Sequence, residues 1–228
     1  MPETELTGVF RDRRDAGHRL GDRLAAKYSG ADAIVLGLPR GGVPVADEVA
    51  RRLGAPLDVI VVRKLGAPFN PEFAIGAIAS GGIVYLSPYG LDQAGLDEAD
   101  VEPLVARERA ELARREELYR RGRGPLEIED KTVFLVDDGI ATGSTMEAAV
   151  LAVRTASPRR VIVASPTASR SAVALLERAA DAVEVLKVPE PYFAVGLWYA
   201  SFPQLSDDEV VDILARHHGA AGTDGSKS

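Results

Sequence analysis

The 228-residue chain contains no cysteine, which excludes disulfides, thiolate metal ligands and a cysteine nucleophile together. It has three histidines. His18 stands alone and His217 and His218 are adjacent in a segment that reads as a tail, so a histidine metal cluster is not expected. No apolar run reaches the roughly 18 residues a spanning helix needs. The opening Met-Pro-Glu-Thr-Glu is acidic where a secretory leader is basic. A cytoplasmic protein without membrane association is therefore expected. An excess of cationic charge is missing too. The formal net charge is −7, whereas nucleic-acid binding draws its affinity from clustered Lys and Arg, so no nucleic-acid partner is expected. Aromatics are only 6% of the chain, which makes their gathering near the C-terminus informative.

What remains suits a single domain over residues 1–218, with 46% hydrophobic and 27% charged residues. Short apolar runs at 33–38, 58–62, 132–136, 160–165 and 183–188 read as strands covered on both faces. Ala46, Val49, Ala50 and Leu53 follow the first run with helical spacing, and Met146, Ala149, Val150 and Val153 follow the third. Alternation of this kind predicts an α/β fold, a mostly parallel central sheet flanked by helices. Residues 73–86 read as a hairpin around Ser80-Gly81-Gly82. Residues 97–121 read as one helix, acidic at its start and Arg-rich at its end. Its stretch 107–123 holds seven arginines and four glutamates, the mixture of a solvated, ion-paired face. Residues 1–30 add a helix with Ala16, Leu20 and Leu24 on one side, and the small, polar residues 219–228 read as a disordered tail.

The chemistry concentrates in residues 132–145, Thr-Val-Phe-Leu-Val-Asp-Asp-Gly-Ile-Ala-Thr-Gly-Ser-Thr. A buried strand ends in Asp137 and Asp138, and a small-residue turn then opens a helix. Ligands of open α/β sheets bind beyond such strand ends. Ala141, Thr142, Gly143, Ser144 and Thr145 would offer backbone N–H groups, hydroxyls and a helix N-terminus to a phosphate. The two carboxylates suit a pair of vicinal hydroxyls. A P-loop is the weaker reading because 139–145 lacks the required lysine. Leu38-Pro39-Arg40-Gly41-Gly42 forms a second loop, where Gly41 and Gly42 free the backbone and Arg40 brings a planar cation. Arg63-Lys64 ends the run 58–62. Residues 65–73, with two prolines, a glycine and an asparagine, read as a loop. Residues 188–199 hold Tyr192, Phe193, Trp198 and Tyr199; for Trp198, Tyr199 and the nearby Phe202, packing in the core or in a dimer interface is an equally open reading.

The 132–145 segment resembles the 5-phosphoribosyl-1-diphosphate signature of the type I phosphoribosyltransferases, an apolar strand, two acidic residues, two variable positions and Ala-Thr-Gly-x-Thr. The resemblance implies transfer of the phosphoribosyl group to a nitrogenous base with release of diphosphate, in nucleotide salvage. It assigns Asp137 and Asp138 to the ribose hydroxyls and to Mg²⁺, and 141–145 to the 5′-phosphate. Arg40, Gly41 and Gly42 then match the diphosphate loop, with Arg63 and Lys64 approaching the same group. Residues 65–73 match the family's mobile catalytic lid, and 188–205 its hood, where Phe193 would stack on the base and Val195 read its edge. Arg40, Lys64 and Glu72 are the candidate catalytic residues. A homodimer is also implied. One departure stands out. Hypoxanthine-type members carry an aspartate, a proposed proton acceptor, where this chain has Ala141, so Glu72 is the replacement candidate and the acceptor base stays open. A ligand-sensing protein that keeps the site without transfer is the alternative reading.

Overall fold

The computed structural model describes residues 9–221, except that the side chains of Pro71, Glu72 and 219–221 lie outside the described set. Five strands build the central sheet. They are β1 (Ala33–Gly37), β2 (Leu57–Val59), β6 (Thr132–Val136), β7 (Arg160–Thr167) and β8 (Ala182–Lys187), all parallel in the order β2-β1-β6-β7-β8. Every residue of β1 and β6 is buried. Successive side chains of these strands feed opposite faces. Val35, Phe134 and Val136 join one core with Leu20, Val49 and Leu214, while Leu36, Val133 and Leu135 join another with Met146, Val150 and Leu176. Each such fully buried aliphatic chain contributes about 1.5–3 kcal/mol of transfer free energy. The first core is covered by α1 (Arg13–Tyr28), α2 (Gly42–Leu53) and α7 (Asp207–Ala221), the second by α5 (Ser144–Arg154) and α6 (Arg170–Leu176).

A second sheet, antiparallel in the order β3-β4-β5, is made by β3 (Val62–Ala67), β4 (Asn70–Ala79) and β5 (Ile83–Leu86). Ser80-Gly81-Gly82 turns between β4 and β5, the glycines at positive φ, as the expected hairpin requires. Two expectations change here. The run 58–62 is not one strand, because β2 ends at Val59 and the chain crosses into the second sheet at Val62. Residues 65–73 are not an open loop but the tip of a second hairpin, β3 pairing with β4 through shifts of register around Gly66. The prolines and glycine that suggested a loop serve instead as turn and bulge residues of that tip.

Helix α3 (Pro88–Ala94) leads to the long α4 (Glu98–Arg120), where Asp97 and Asp100 form the capping box at the acidic end. On α4 most charges pair at the surface, but Arg120 is buried and bonds Asp58 and Glu116. His217 is not in a tail. It lies buried in α7, its Nδ1 2.8 Å from Asp47 Oδ1 of α2. The last seven residues of the segment read as disordered lie outside the described residues. Among the described residues no helix is long and apolar enough to cross a membrane.

Candidate active site

The strand order, renumbered within the central sheet, is 2-1-3-4-5, and its reversal falls between β1 and β6. Chains leaving these two neighbours diverge to opposite faces and open a crevice beyond their carboxyl ends. Both loops singled out in the sequence leave from that point, residues 38–42 after β1 and 137–143 after β6. They meet there. A methyl group placed on Gly41 would lie 2.0 Å from Asp138 Oδ2, so only a residue without a side chain fits between the loops.

The helices that start at this crevice differ from the others. Helices α1, α3, α4 and α6 begin with a side-chain cap, from Asp12, Ser87, Asp97 and Ser169. Helices α2 and α5 begin at Gly41 and Gly143 with no side-chain cap bond. At α2 the first N–H groups are already engaged, Gly42 with the Leu38 carbonyl at 3.0 Å and Val43 with the Arg40 carbonyl at 3.3 Å, and Pro44 has none. At α5 Ser144 N–H makes only a 3.5 Å contact with Thr142 Oγ1, so this helix end, with the positive end of its dipole, is the one open to an anion. The β6–α5 loop is fixed from behind, since Ser169 Oγ donates to the Ala141 carbonyl at 2.6 Å and Ile140 N–H to the Thr167 carbonyl at 2.9 Å. Ala141, Thr142 and Thr145 remain exposed.

Asp137 and Asp138 carry the electrostatic load of the site. Asp138 is buried and Asp137 half-buried, and Asp138 N–H donates to Asp137 Oδ1 at 2.9 Å. Burial, and then the neighbouring Asp138 charge, push the Asp137 carboxyl well above the usual range. Burial also raises Asp138, against the opposing pull of Arg13. Among the described residues Arg13 is the one cation seen to act on this pair, and a bound cation would relieve the remaining repulsion. Among the described residues no cluster of three or more His, Cys, Asp or Glu could hold a metal ion. Two carboxylates alone suit Mg²⁺, which commonly takes one or two such ligands together with substrate phosphate oxygens.

A pH dependence follows. A carboxyl whose folded pKa is raised binds more protons in the folded than in the unfolded state, so its contribution to stability is present below the ordinary value of 3.8 and is lost as pH rises through the folded value. Asp137→Asn is therefore expected to raise the ligand-free melting point at neutral pH, by about 1 kcal/mol of stability. The gain should vanish below pH 4. A melting series over pH 4–8 checks this, and a gain that grows toward acid would contradict it.

Other expected residues separate into those the crevice gathers and those it does not. Arg40 lines a cleft of about 460 Å³ with Thr145, its guanidinium 3.8 Å from Asp207. Lys64 shares a cavity of about 300 Å³ with Ser144 at the start of α5. Arg63, by contrast, does not stand free at a strand end of the central sheet. It lies inside β3, with Nε 2.6 Å from Glu108 Oε2 on α4. The Glu72 side chain lies outside the described residues. In the hood Phe193 is 78% exposed, and Val195 packs on Gly139, where an added methyl would come within 2.3 Å of Val195 Cγ1. Trp198, Tyr199 and Phe202 prove to be packing residues, clustered with Phe10.

Two contacts carried no signal in the sequence. Arg13, in the first turn of α1, is buried and donates from Nε to Asp138 Oδ2 at 2.7 Å and from Nη1 to the Pro203 carbonyl, its guanidinium 3.8 Å from the Phe202 ring centre. Tyr199 donates its hydroxyl to the Asp138 carbonyl. The hood and α1 thus clamp the acidic pair, although both lie far from it in sequence.

Comparison with known proteins agrees with this geometry. The phosphoribosyl transferase domain family matches residues 14–199. Two Mycobacterium tuberculosis relatives, from strains CDC 1551 / Oshkosh and H37Rv, each provisionally named a phosphoribosyl transferase, are 47% identical over 210 residues. That span is 92% of this chain but 47% of each relative, so the chain spans about half the length of the curated relatives it matches. The crystal structure of TT1426 from Thermus thermophilus superposes with a TM-score of 0.84 at 50% identity, covering 91% of this chain and 98% of that one.

Proposed function

This chain belongs to the phosphoribosyl transferase family, and from that premise we propose that it transfers the 5-phosphoribosyl group of 5-phosphoribosyl-1-diphosphate to a nitrogenous base. The observation that carries the reading is the meeting of the two loops at the switch of strand order, with Gly41 against Asp138 and with Arg40 and Thr145 lining one cleft. One loop takes the 5′-phosphate through 141–145 and the other takes the diphosphate through Arg40, Gly41 and Gly42. Asp137 and Asp138 accept from the ribose 2′- and 3′-hydroxyls.

In the reaction the C1–oxygen bond breaks with its electron pair leaving on diphosphate. The base nitrogen forms the new bond to C1 and then loses its proton. C1 passes through an oxocarbenium-like state, so the protein works by alignment and by spreading the leaving-group charge. Arg40 and Lys64 supply that charge, and Phe193 gives the base a face to stack on. Mg²⁺, held by Asp137 and Asp138 with substrate oxygens, would add charge neutralisation to the diphosphate. Glu72 is the proposed proton acceptor in place of the residue that Ala141 replaces. A homodimer in the cytoplasm, working in nucleotide salvage, completes the proposal.

One observation favours the ligand-sensing alternative. Arg63, expected near the diphosphate, is committed to Glu108. The two readings separate when the protein is incubated with 5-phosphoribosyl-1-diphosphate, Mg²⁺ and a panel of purines, pyrimidines and pyridines. Diphosphate release that depends on one base, with an N-ribosyl product by mass, is the expected result. Binding without release would identify a sensor, and release without any base a hydrolase.

A further inference from the structure

The geometry points to Arg114 and Arg115 of α4 as the residues that join Arg40 in binding the diphosphate of the substrate. Nothing in either loop motif indicates them, and the inference rests on the transferase reading above. It begins from a charge deficit. A bound diphosphate ester is highly anionic, yet Arg40 is partly offset by Asp207 at 3.8 Å and Arg63 is held by Glu108. The cleft that Arg40 and Thr145 share has a second cationic wall. Its lining includes Arg114 and Arg115, along with Tyr119, whose hydroxyl donates to Asp207. Three arginines and one carboxylate therefore face one cavity, whose lining also includes Thr145 at the start of α5.

The two arginines are available. Arg114 is 67% and Arg115 49% exposed, and both lean on the same carboxylate, Glu111, at 3.0 and 3.3 Å. Exposed pairs of this kind contribute little and are readily exchanged for a more highly charged partner. Arg120, one turn further along α4, could not serve, because it is buried against Asp58 and Glu116. Planar guanidinium forks suit phosphate oxygens, on which each can bind two at once. In this arrangement α4 belongs to the site, and the two acidic groups, Glu111 and Asp207, hold the cations in place until the ligand arrives.

Arg114→Gln/Arg115→Gln tests this, measured by titration with three probes in the presence of Mg²⁺, 5-phosphoribosyl-1-diphosphate, inorganic diphosphate and ribose 5-phosphate. A second variant, Arg109→Gln/Arg121→Gln, removes the same charge from α4 and its C-terminal cap, outside the cleft. The first variant is expected to weaken the two diphosphate-bearing probes by roughly 100-fold or more, about the loss of two charge-assisted contacts. It should leave ribose 5-phosphate and the melting point unchanged, and Arg114→Lys/Arg115→Lys should restore part of the affinity. Undiminished diphosphate binding, equal loss for all three probes, or equal loss in the second variant would overturn the inference while leaving the transferase reading intact. A wild-type protein that binds none of the three would instead refute that reading and the inference with it.

Discussion

Gly41→Ala is expected to reduce affinity for 5-phosphoribosyl-1-diphosphate by about 100-fold, the scale on which a displacement near 1 Å acts in such sites. The added methyl would fall 2.0 Å from Asp138 Oδ2 and 2.6 Å from its carboxyl carbon. A flexible carboxylate could swing away, but this one is tied to Arg13 Nε at 2.7 Å and its backbone carbonyl accepts from Tyr199. The loop after β1 must therefore move, carrying Arg40 and the start of α2 with it. Overpacking of this kind costs about 2 kcal/mol, so the variant should fold with a lowered melting point and bind poorly. Gly124→Ala, where nothing lies within 4 Å of the added methyl, provides the matched neutral control. Affinities measured by titration decide the matter, and a Gly41→Ala protein that binds like wild type would show that the two loops do not act as one site.

Arg13→Met is expected to be the most destabilising single substitution among the site residues. Arg13 and Asp138 have side chains only 10% and 12% exposed, and the guanidinium also closes the hood through Pro203 and Phe202. Removing it leaves a buried carboxylate beside a second one, a loss of about 3 kcal/mol for a broken buried pair. In a chain of this size that lowers the melting point by roughly 10 °C. Adding Asp138→Asn removes the stranded charge and should recover much of the loss, because the two residues act as one unit. Thermal melts of the two single variants and the double variant give the coupling directly. Additive losses would mean that the Arg13–Asp138 contact contributes nothing of its own.

The sequence carried the centre of the fold and of the site because those parts are local. Residues 132–145 hold strand, acidic pair, turn and helix start in one unbroken stretch, and residues 33–53 repeat the pattern. The parallel order of β1 and β6, and hence the crevice, follows from that alternation. Other features are set by partners distant in the chain. The apolar run 58–62 gives no sign that β2 stops at Val59, since Ile60 and Val61 are buried on either side of the crossing. Arg63 looked like a free cation because its partner, Glu108, lies 45 positions later. Arg13 lies 125 positions before Asp138, in a helix whose sequence reads as ordinary. Residues 65–73 have the composition of a loop, and only pairing with β4 makes them a hairpin. His217 seemed to belong to a tail, although α7 carries it against Asp47.

The acceptor end is less defined than the phosphoribosyl end for a physical reason. In the proposed reading phosphate and ribose would be gripped by backbone and carboxylates, whose placement the strand–turn–helix pattern dictates. A planar base would be met instead by the exposed Phe193 and by backbone near Val195, which leave little trace in residue type.

A pocket for 5-phosphoribosyl-1-diphosphate built on Asp137 and Asp138 should bind that ligand in isothermal titration. Wild type and Asp137→Asn/Asp138→Asn would be compared with and without Mg²⁺. Mg²⁺-dependent binding by the wild type, abolished in the double variant while its fold persists, is the predicted result. No binding by the folded wild type, or binding that the double variant retains, would contradict it.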